Sequence, residues 1–229
     1  MSESRSRIMG RLKSALDKRH NPTVRLSGAD QRIKDHALGL IPARGQSQGA
    51  ARIQMFIDEA ERVSAQVVRL RALSDVPAAA AKACADAGAT KLKVAPHPAL
   101  QALDWANQDA HFGIGHGDDL VGLSMAYAGV AETGTLVMRS GADTPTTLNF
   151  LPDTHMVAIR AGDIEASYED VWAKLRAAAG ARGTPGASVL GRTVNWITGP
   201  SRTADIEQTI LLGAHGPRKL IILLVDETA

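Results

Sequence analysis

The stretch LIILLV, residues 220–225, is the most informative part of the sequence for the fold. It is a short unbroken apolar run, which is typical of a strand that is buried on both faces of a parallel sheet. Other short apolar runs along the chain predict further strands. These lie at residues 66–70, 91–95, 122–126, 135–139, 154–160 and 193–197.

Helical patterns alternate with these strands. Apolar residues recur at helical spacing in the ranges 50–65, 74–87, 168–179 and 203–212. Strands that alternate with helices favour a sheet whose strands run parallel and whose faces are both covered by helices. The sequence therefore predicts an α/β fold with a mainly parallel sheet and helices on both faces.

The first 49 residues differ in pattern from the rest of the chain. Residues 2–19 have apolar side chains at helical spacing, which predicts an amphipathic helix with a basic outer face. Residues 20–49 contain several prolines and glycines and few apolar residues, which indicates an extended arm. We therefore expect an N-terminal helix and arm over residues 1–49, followed by one α/β domain over residues 50–229.

The charge of the chain gives no strong reason to expect binding to nucleic acid. Its 26 basic and 24 acidic side chains leave a net charge of +2, and aromatic residues make up only 3% of the sequence. No apolar run is long enough to cross a bilayer, and the N-terminus lacks the apolar core of a signal peptide. These features predict a cytoplasmic protein without a membrane span.

Metal and redox centres are also not expected from the sequence. Cys84 is the single cysteine, so the chain cannot form an internal disulfide, a four-thiolate zinc site or a cysteine-ligated iron–sulfur cluster. The seven histidines show no paired spacing that is typical of a metal site. We predict no cofactor and no metal, and we interpret Cys84 as a small apolar residue of a helix.

The segment TGPSRTADIE, residues 198–207, is the first candidate site. It follows a predicted strand and opens a predicted helix, where free backbone N–H groups favour anions. Gly199 allows close approach of the backbone, Ser201 or Thr203 can cap the helix, and Arg202 adds a positive charge. These residues predict a site for a carboxylate or phosphate. The alternative is a well-capped helix without a ligand.

The segment GVAETGT, residues 129–135, is the second candidate site. Glu132 lies in a loop of small residues between two predicted strands, where a carboxylate can act as a base or a nucleophile. We expect it to pair with Arg202, and we expect Thr133, Gly134 and Thr135 to help bind the anion. The alternative is that Glu132 only accepts hydrogen bonds that shape the turn.

Three stretches together resemble a known protein family. They are AETGTLVM (131–138), LNFLPDTH (148–155) and TGPSRTADIEQTILLGAHGP (198–217), in this order and at this spacing. They resemble the lactate utilisation protein C (LutC/YkgG) family, which has a LUD domain and a fold of the NagB/RpiA/CoA-transferase type. The resemblance extends from about residue 50 to residue 225.

This resemblance implies a role in a bacterial system that oxidises L-lactate to pyruvate. The iron–sulfur proteins of that system would be the partners, and this chain would be an accessory subunit that binds a small carboxylate or phosphate. An alternative is a free-standing enzyme of the CoA-transferase or sugar-phosphate-isomerase class that uses Glu132. A regulatory, ligand-sensing role is a third possibility.

Overall fold

The computed structural model describes residues 3–19, 22–180, 191–203, 211–212 and 215–227. The chain divides into two compact units, Met1–Leu40 and Ile41–Ala229. The first unit contains two helices, and the second contains every strand that the structure describes. No helix in the described part of the chain is long and apolar enough to cross a membrane.

The elements are numbered in chain order. The α-helices are α1 (Glu3–Arg19), α2 (Pro22–Asp35), α3 (Gly49–Arg62), α4 (Val76–Asp86), α5 (Pro98–Gln101) and α6 (Tyr168–Gly180). The strands are β1 (Gln66–Leu70), β2 (Lys91–Val94), β3 (Asp109–Phe112), β4 (Val121–Met125), β5 (Ala128–Val130), β6 (Thr135–Arg139), β7 (Thr154–Arg160), β8 (Ile164–Glu165), β9 (Val194–Ile197), β10 (Arg202–Thr203), β11 (Leu211–Leu212) and β12 (Lys219–Val225).

Six strands form the large sheet, in the order β1-β12-β7-β4-β2-β3, and every neighbouring pair is parallel. The predicted parallel α/β fold is therefore confirmed. The position of β12 inside the large sheet explains why its apolar run is unbroken. Leu220, Ile222 and Leu224 pack into the core on one face of the sheet, with α3, while Ile221, Leu223 and Val225 pack on the other, with α4.

A second, smaller sheet lies beside the α3 face of the large sheet. Its order is β8-β5-β6-β9, and Leu136 and Met138 of β6 share the core of that face. The opposite side of the small sheet packs against α6 through Val171 and Leu175. The sequence did not separate these strands into a second sheet, because short apolar strands look alike in either sheet.

Two predictions about local structure are wrong in the described residues. The extended arm contains a helix, α2, which the Pro/Gly punctuation of residues 20–49 concealed. The helix predicted over residues 203–212 has strands at its described ends, since β10 pairs antiparallel with β11, while residues 204–210 lie outside the described residues. Pairing with a neighbouring strand overrides the local helical pattern there. The division at residues 49 and 50 stays a prediction.

Cys84 occupies the position that the sequence predicts. It is almost fully buried on α4, in the core between that helix and the large sheet. Burial raises the pKa of its thiol. Because the thiolate is the reactive form of cysteine, a buried thiol with a raised pKa is a poor nucleophile at neutral pH.

Candidate functional site: a cavity lined by loop segments of the second unit

A cavity of about 230 Å³ lies at the amino ends of β7 and β12. We call it the motif cavity, and its lining residues come from short segments: Asn149, Phe150 and His155; residues 196–201; residues 215–217; and Leu220. The sequence stretches LNFLPDTH and TGPSRTADIEQTILLGAHGP supply ten of these thirteen residues, and Trp196, Ile197 and Leu220 lie outside them. Segments that are far apart in the chain therefore meet around one space.

The position of this cavity differs from the usual one. In open α/β sheets ligands bind beyond the carboxyl ends of the parallel strands. Here the cavity adjoins the amino ends of two strands of the large sheet and the carboxyl end of β9 in the small sheet. The end of β9 in the small sheet therefore forms one side of the cavity.

Gly199 sets the course of the TGPSR loop. Its φ is +75°, and a Cβ there would lie 2.4 Å from the carbonyl oxygen of Val63, just after α3. Both the left-handed backbone and the close approach require glycine. Ser201 then joins the loop to the GAHGP segment, because its N–H donates to Pro217 O (2.9 Å) and its Oγ accepts from His215 N (3.3 Å).

A chain of hydroxyl groups connects the AETGT segment to the motif cavity. Thr135 Oγ1 lies 2.7 Å from Thr133 Oγ1, 3.0 Å from the Tyr168 hydroxyl and 2.7 Å from Thr198 Oγ1. Thr135 is fully buried, and Thr198 lines the cavity. The two candidate segments are therefore in contact through the hydroxyls of Thr135 and Thr198.

Gly134 allows α3 to approach this hydroxyl network. Its φ is +62°, and a Cβ at this position would lie 2.2 Å from the backbone nitrogen of Ala60. Any side chain would collide with the backbone of α3. Gly134 therefore has a packing role, and it does not line the cavity.

Glu132 is buried at the start of α6. Its Oε1 accepts a hydrogen bond from the N–H of Tyr168 (3.2 Å), the first residue of that helix. A carboxylate at a helix N-terminus satisfies a free donor and interacts favourably with the helix dipole. Gly45 lies close to Oε2, since a Cβ there would be 3.0 Å from that oxygen. Glu132 does not line the motif cavity.

Arg202 lies at the surface, outside the lining of the motif cavity. Its Nη2 donates to the carbonyl oxygen of Val63 at 3.0 Å. Within the part of the chain that the structure describes, no hydrogen bond or ion pair joins it to Glu132. Thr203 follows in β10, paired with Leu211. The pairing that we expected between Glu132 and Arg202 is therefore replaced by two separate backbone contacts.

Asn149 and His155 are lining residues that sequence reasoning did not select. Asn149 is 5% exposed and His155 is fully buried. Burial lowers the pKa of His155 to about 3, so the imidazole is neutral near pH 7. The sequence feature that could have indicated them is their position in LNFLPDTH. Both are polar residues close to the start of a predicted buried strand, where polar side chains are uncommon.

Comparison with known proteins agrees with this fold. A solved structure described as a DUF162 family protein from Deinococcus radiodurans is similar, with a TM-score of 0.57 over 78% of this chain and 99% of that chain. The two sequences are 22% identical, a level at which the likeness shows the fold alone. The family model of the LUD domain matches residues 53–225, and the chain belongs to the LUD domain family.

Curated relatives match a shorter part of the chain. A protein named NMB1437 from Neisseria meningitidis is 36% identical over 45% of this chain, and YkgG from Escherichia coli is 33% identical over 47%. A lactate utilization protein C from Geobacillus is 31% identical over 47% of this chain. The matched part spans 41% to 44% of the length of these relatives. The resemblance stated from the sequence motifs is confirmed.

Proposed function

We propose that this chain takes part in lactate utilisation and binds a small carboxylate in the motif cavity. The observation that carries the proposal is the convergence of separate sequence motifs on one cavity. Loop residues with binding roles are commonly held in this way by a rigid scaffold. The name lactate utilization protein C, carried by several relatives, supports lactate or its oxidation product as the ligand.

The size of the motif cavity favours a small ligand. Its volume of about 230 Å³ is below the roughly 300–1,000 Å³ of pockets that enclose drug-sized molecules. Neither lysine nor arginine occurs among its described lining residues, so neutral donors would bind the ligand. The lining residues whose side chains carry such donors and are not fully buried are Asn149, Trp196, Thr198, Ser201 and His215.

Electron transfer in this proposal belongs to partner proteins. The chain has one cysteine, which is buried, whereas a cysteine-ligated iron–sulfur cluster needs several thiolates. Iron–sulfur proteins of a lactate utilisation system are therefore the proposed partners, and this chain is their accessory subunit. A role for Glu132 as a nucleophile stays a prediction, which its position at the start of α6 does not favour.

The test measures L-lactate-dependent dye reduction in extract from a strain that lacks this protein. Purified wild type, Gly216→Leu and Gly117→Leu are added back separately. A Cβ at Gly216 would lie 3.4 Å from Ser201 Cβ, an ordinary contact, so the rest of a leucine would enter the cavity. A Cβ at Gly117 meets no atom within 4 Å, and Gly117 does not line the cavity, which makes it the matched control.

We expect wild type and Gly117→Leu to restore dye reduction and Gly216→Leu to fail while remaining folded. Full lactate oxidation in extract without the added protein would contradict the accessory role. Equal rescue by Gly216→Leu would contradict the motif cavity as the site. Turnover of an acyl-CoA or a sugar phosphate by the isolated chain, abolished by Glu132→Gln, would favour the alternative enzyme.

A further inference from the structure

Helix α1 carries an apolar stripe that no element in the described part of the chain covers. Ile8, Met9, Leu12 and Leu16 recur at helical spacing, and each is between 52% and 59% exposed. Every residue from 4 to 16 is exposed. Because an isolated helix of this length is only marginally stable in water, a partner that covers the stripe would stabilise it.

Positive charge is concentrated in the same part of the chain. Residues 1–40 contain nine basic and four acidic side chains, whereas residues 41–229 contain 17 basic and 20 acidic ones. Six of the nine basic residues belong to α1, which has two acidic residues. An anionic surface would therefore attract α1 more strongly than it attracts the second unit.

The positions of the cations on α1 distinguish between kinds of anionic partner. At about 100° per residue, the stripe covers roughly 100° of the helix circumference. Arg11 and Lys13 lie at its two borders, while Gly10 and Ser14 lie on the opposite face. A helix that binds nucleic acid directs its cations at the phosphates from the contact face. On α1 the centre of that face is apolar, and the cations flank it.

This arrangement is typical of a helix that lies at a lipid surface. Apolar side chains of such a helix enter the boundary between headgroups and acyl chains, and the flanking cations reach the headgroups through their aliphatic stems. The helix contains no aromatic residue, the type that most often anchors a protein–protein interface. A lipid surface needs no such anchor, because it has no fixed pocket to fill.

We propose that α1 binds an anionic lipid surface and lies in the plane of that surface. Ile8, Leu12 and Leu16 enter the headgroup boundary, and Arg11 and Lys13 contact the anionic headgroups. Because the stripe is short, binding is reversible and needs both the apolar contact and the charge. The inference goes beyond the proposed function and does not depend on a ligand in the motif cavity.

The test measures co-flotation of the purified full chain with lipid vesicles. The vesicles consist of phosphatidylcholine alone or with about one third phosphatidylserine, at about 0.1 M and about 0.5 M salt. Leu12→Asp and Ser14→Asp form a matched pair, since each adds one negative charge to α1 but only the first interrupts the stripe. Leu12→Ala shortens the apolar side chain and keeps a residue that favours a helix, and circular dichroism reports the helix content.

We expect the wild type to bind phosphatidylserine vesicles at least about tenfold more tightly than phosphatidylcholine vesicles, and to be released at the higher salt. Ser14→Asp should weaken this binding by about fivefold or less. Leu12→Asp should bind at least about tenfold more weakly than Ser14→Asp, and Leu12→Ala about fivefold more weakly than the wild type with unchanged helix content.

Three outcomes would overturn the inference. The first is the absence of flotation of the wild type with either vesicle. The second is equal binding of Leu12→Asp and Ser14→Asp, or tighter binding to duplex DNA than to vesicles, because charge alone would then hold the chain. The third is a dimer in analytical ultracentrifugation that Leu12→Asp dissociates, since a second copy would then cover the stripe. None of these outcomes changes the result expected for lactate-dependent dye reduction, so the proposed function is tested separately.

Discussion

Two polar clusters lie beside the motif cavity, and they differ in how completely their hydrogen bonds are satisfied. In the hydroxyl network, Thr135 Oγ1 has three partners and joins Thr133, Tyr168 and Thr198. In the second cluster, His155 has one partner, Ser124 at Nε2, and its buried Nδ1 has none in the part of the chain that the structure describes. Thr135 and His155, the residues at the centres of the two clusters, are both fully buried, whereas Thr198 at the edge of the hydroxyl network is exposed.

The difference indicates which cluster stabilises the fold and which is available to a ligand. A fully satisfied network rigidifies its surroundings, and removal of one member leaves the others unpaired. A buried polar atom without a partner is destabilising unless a ligand or water satisfies it. We therefore expect substitutions in the hydroxyl network to change stability, and substitutions at His155 to change binding.

The largest expected effect concerns the glycine that brings α3 onto the hydroxyl network. Gly134→Ala should lower the free energy of unfolding by about 3 kcal/mol or more, since it combines a left-handed alanine with a collision against Ala60. Urea unfolding measures it. Gly88→Ala is the matched control, because its φ is +65° but its Cβ meets no atom within 4 Å. Equal losses of unfolding free energy in the two variants would show that the left-handed backbone of alanine, and not the collision with Ala60, causes the destabilisation.

The next effect tests the network itself. Thr135→Val keeps the shape of the side chain but removes the hydroxyl, so the free energy of unfolding should fall by about 2–3 kcal/mol. Thr146→Val, which removes an exposed 3.4 Å contact with Thr193, should change it by less than about 0.5 kcal/mol. Pyruvate affinity of the folded Thr135→Val protein should stay within about threefold. A loss of binding without a loss of stability would reverse the roles of the two clusters.

The third effect is a loss of stability in acid caused by His155. The pKa of this residue is about 3 in the fold and about 6.5 in an unfolded chain, so the unfolded state takes up a proton first as the pH falls. The neutral His155 side chain therefore does not reduce the free energy of unfolding above pH 6.5. As the pH falls from 6.5 towards 3, the free energy of unfolding declines, because only the unfolded state takes up the proton. Between pH 7.5 and pH 5 the wild type should lose about 2 kcal/mol more than His155→Asn, which lacks the titrating group. Parallel profiles of the two proteins in urea unfolding would contradict the low pKa.

The smallest effect concerns Arg202. Because this side chain is exposed and contacts only a backbone oxygen in the described structure, Arg202→Ala should cost less than about 1 kcal/mol and leave pyruvate affinity within about twofold. Arg218→Ala, at another exposed arginine, provides the comparison. A tenfold loss of affinity in Arg202→Ala alone would restore the anion-binding role that the sequence predicts.

Sequence periodicity predicted five of the six strands of the large sheet and two strands of the small sheet, β6 and β9, but it missed β3 at the edge of the large sheet. The strands at residues 66–70, 135–139 and 154–160 have the predicted bounds, because each is a local apolar run. The helix expected over residues 203–212 is wrong at its described ends, since capping residues also suit a turn between strands. Pairing between distant strands is not visible in a local pattern.

The site needed three-dimensional information for the same reason. The sequence indicated the AETGT and TGPSR segments, and the contact between Thr135 and Thr198 joins them. It could not show that Glu132 faces the start of α6, because that helix begins 36 residues later. Nor could it show that Nδ1 of His155 has no hydrogen-bond partner among the described residues, since this depends on the positions of Ser124 and the loops around the cavity.

The burial of Cys84 makes the protein convenient for site-specific labelling. Its thiol is 2% exposed and has a raised pKa, so maleimide reagents at neutral pH should react with it slowly. A cysteine placed at an exposed position near the cavity, such as His215, would then be the preferred target. A fluorophore attached there would report directly when the cavity is occupied, without removal of the native cysteine.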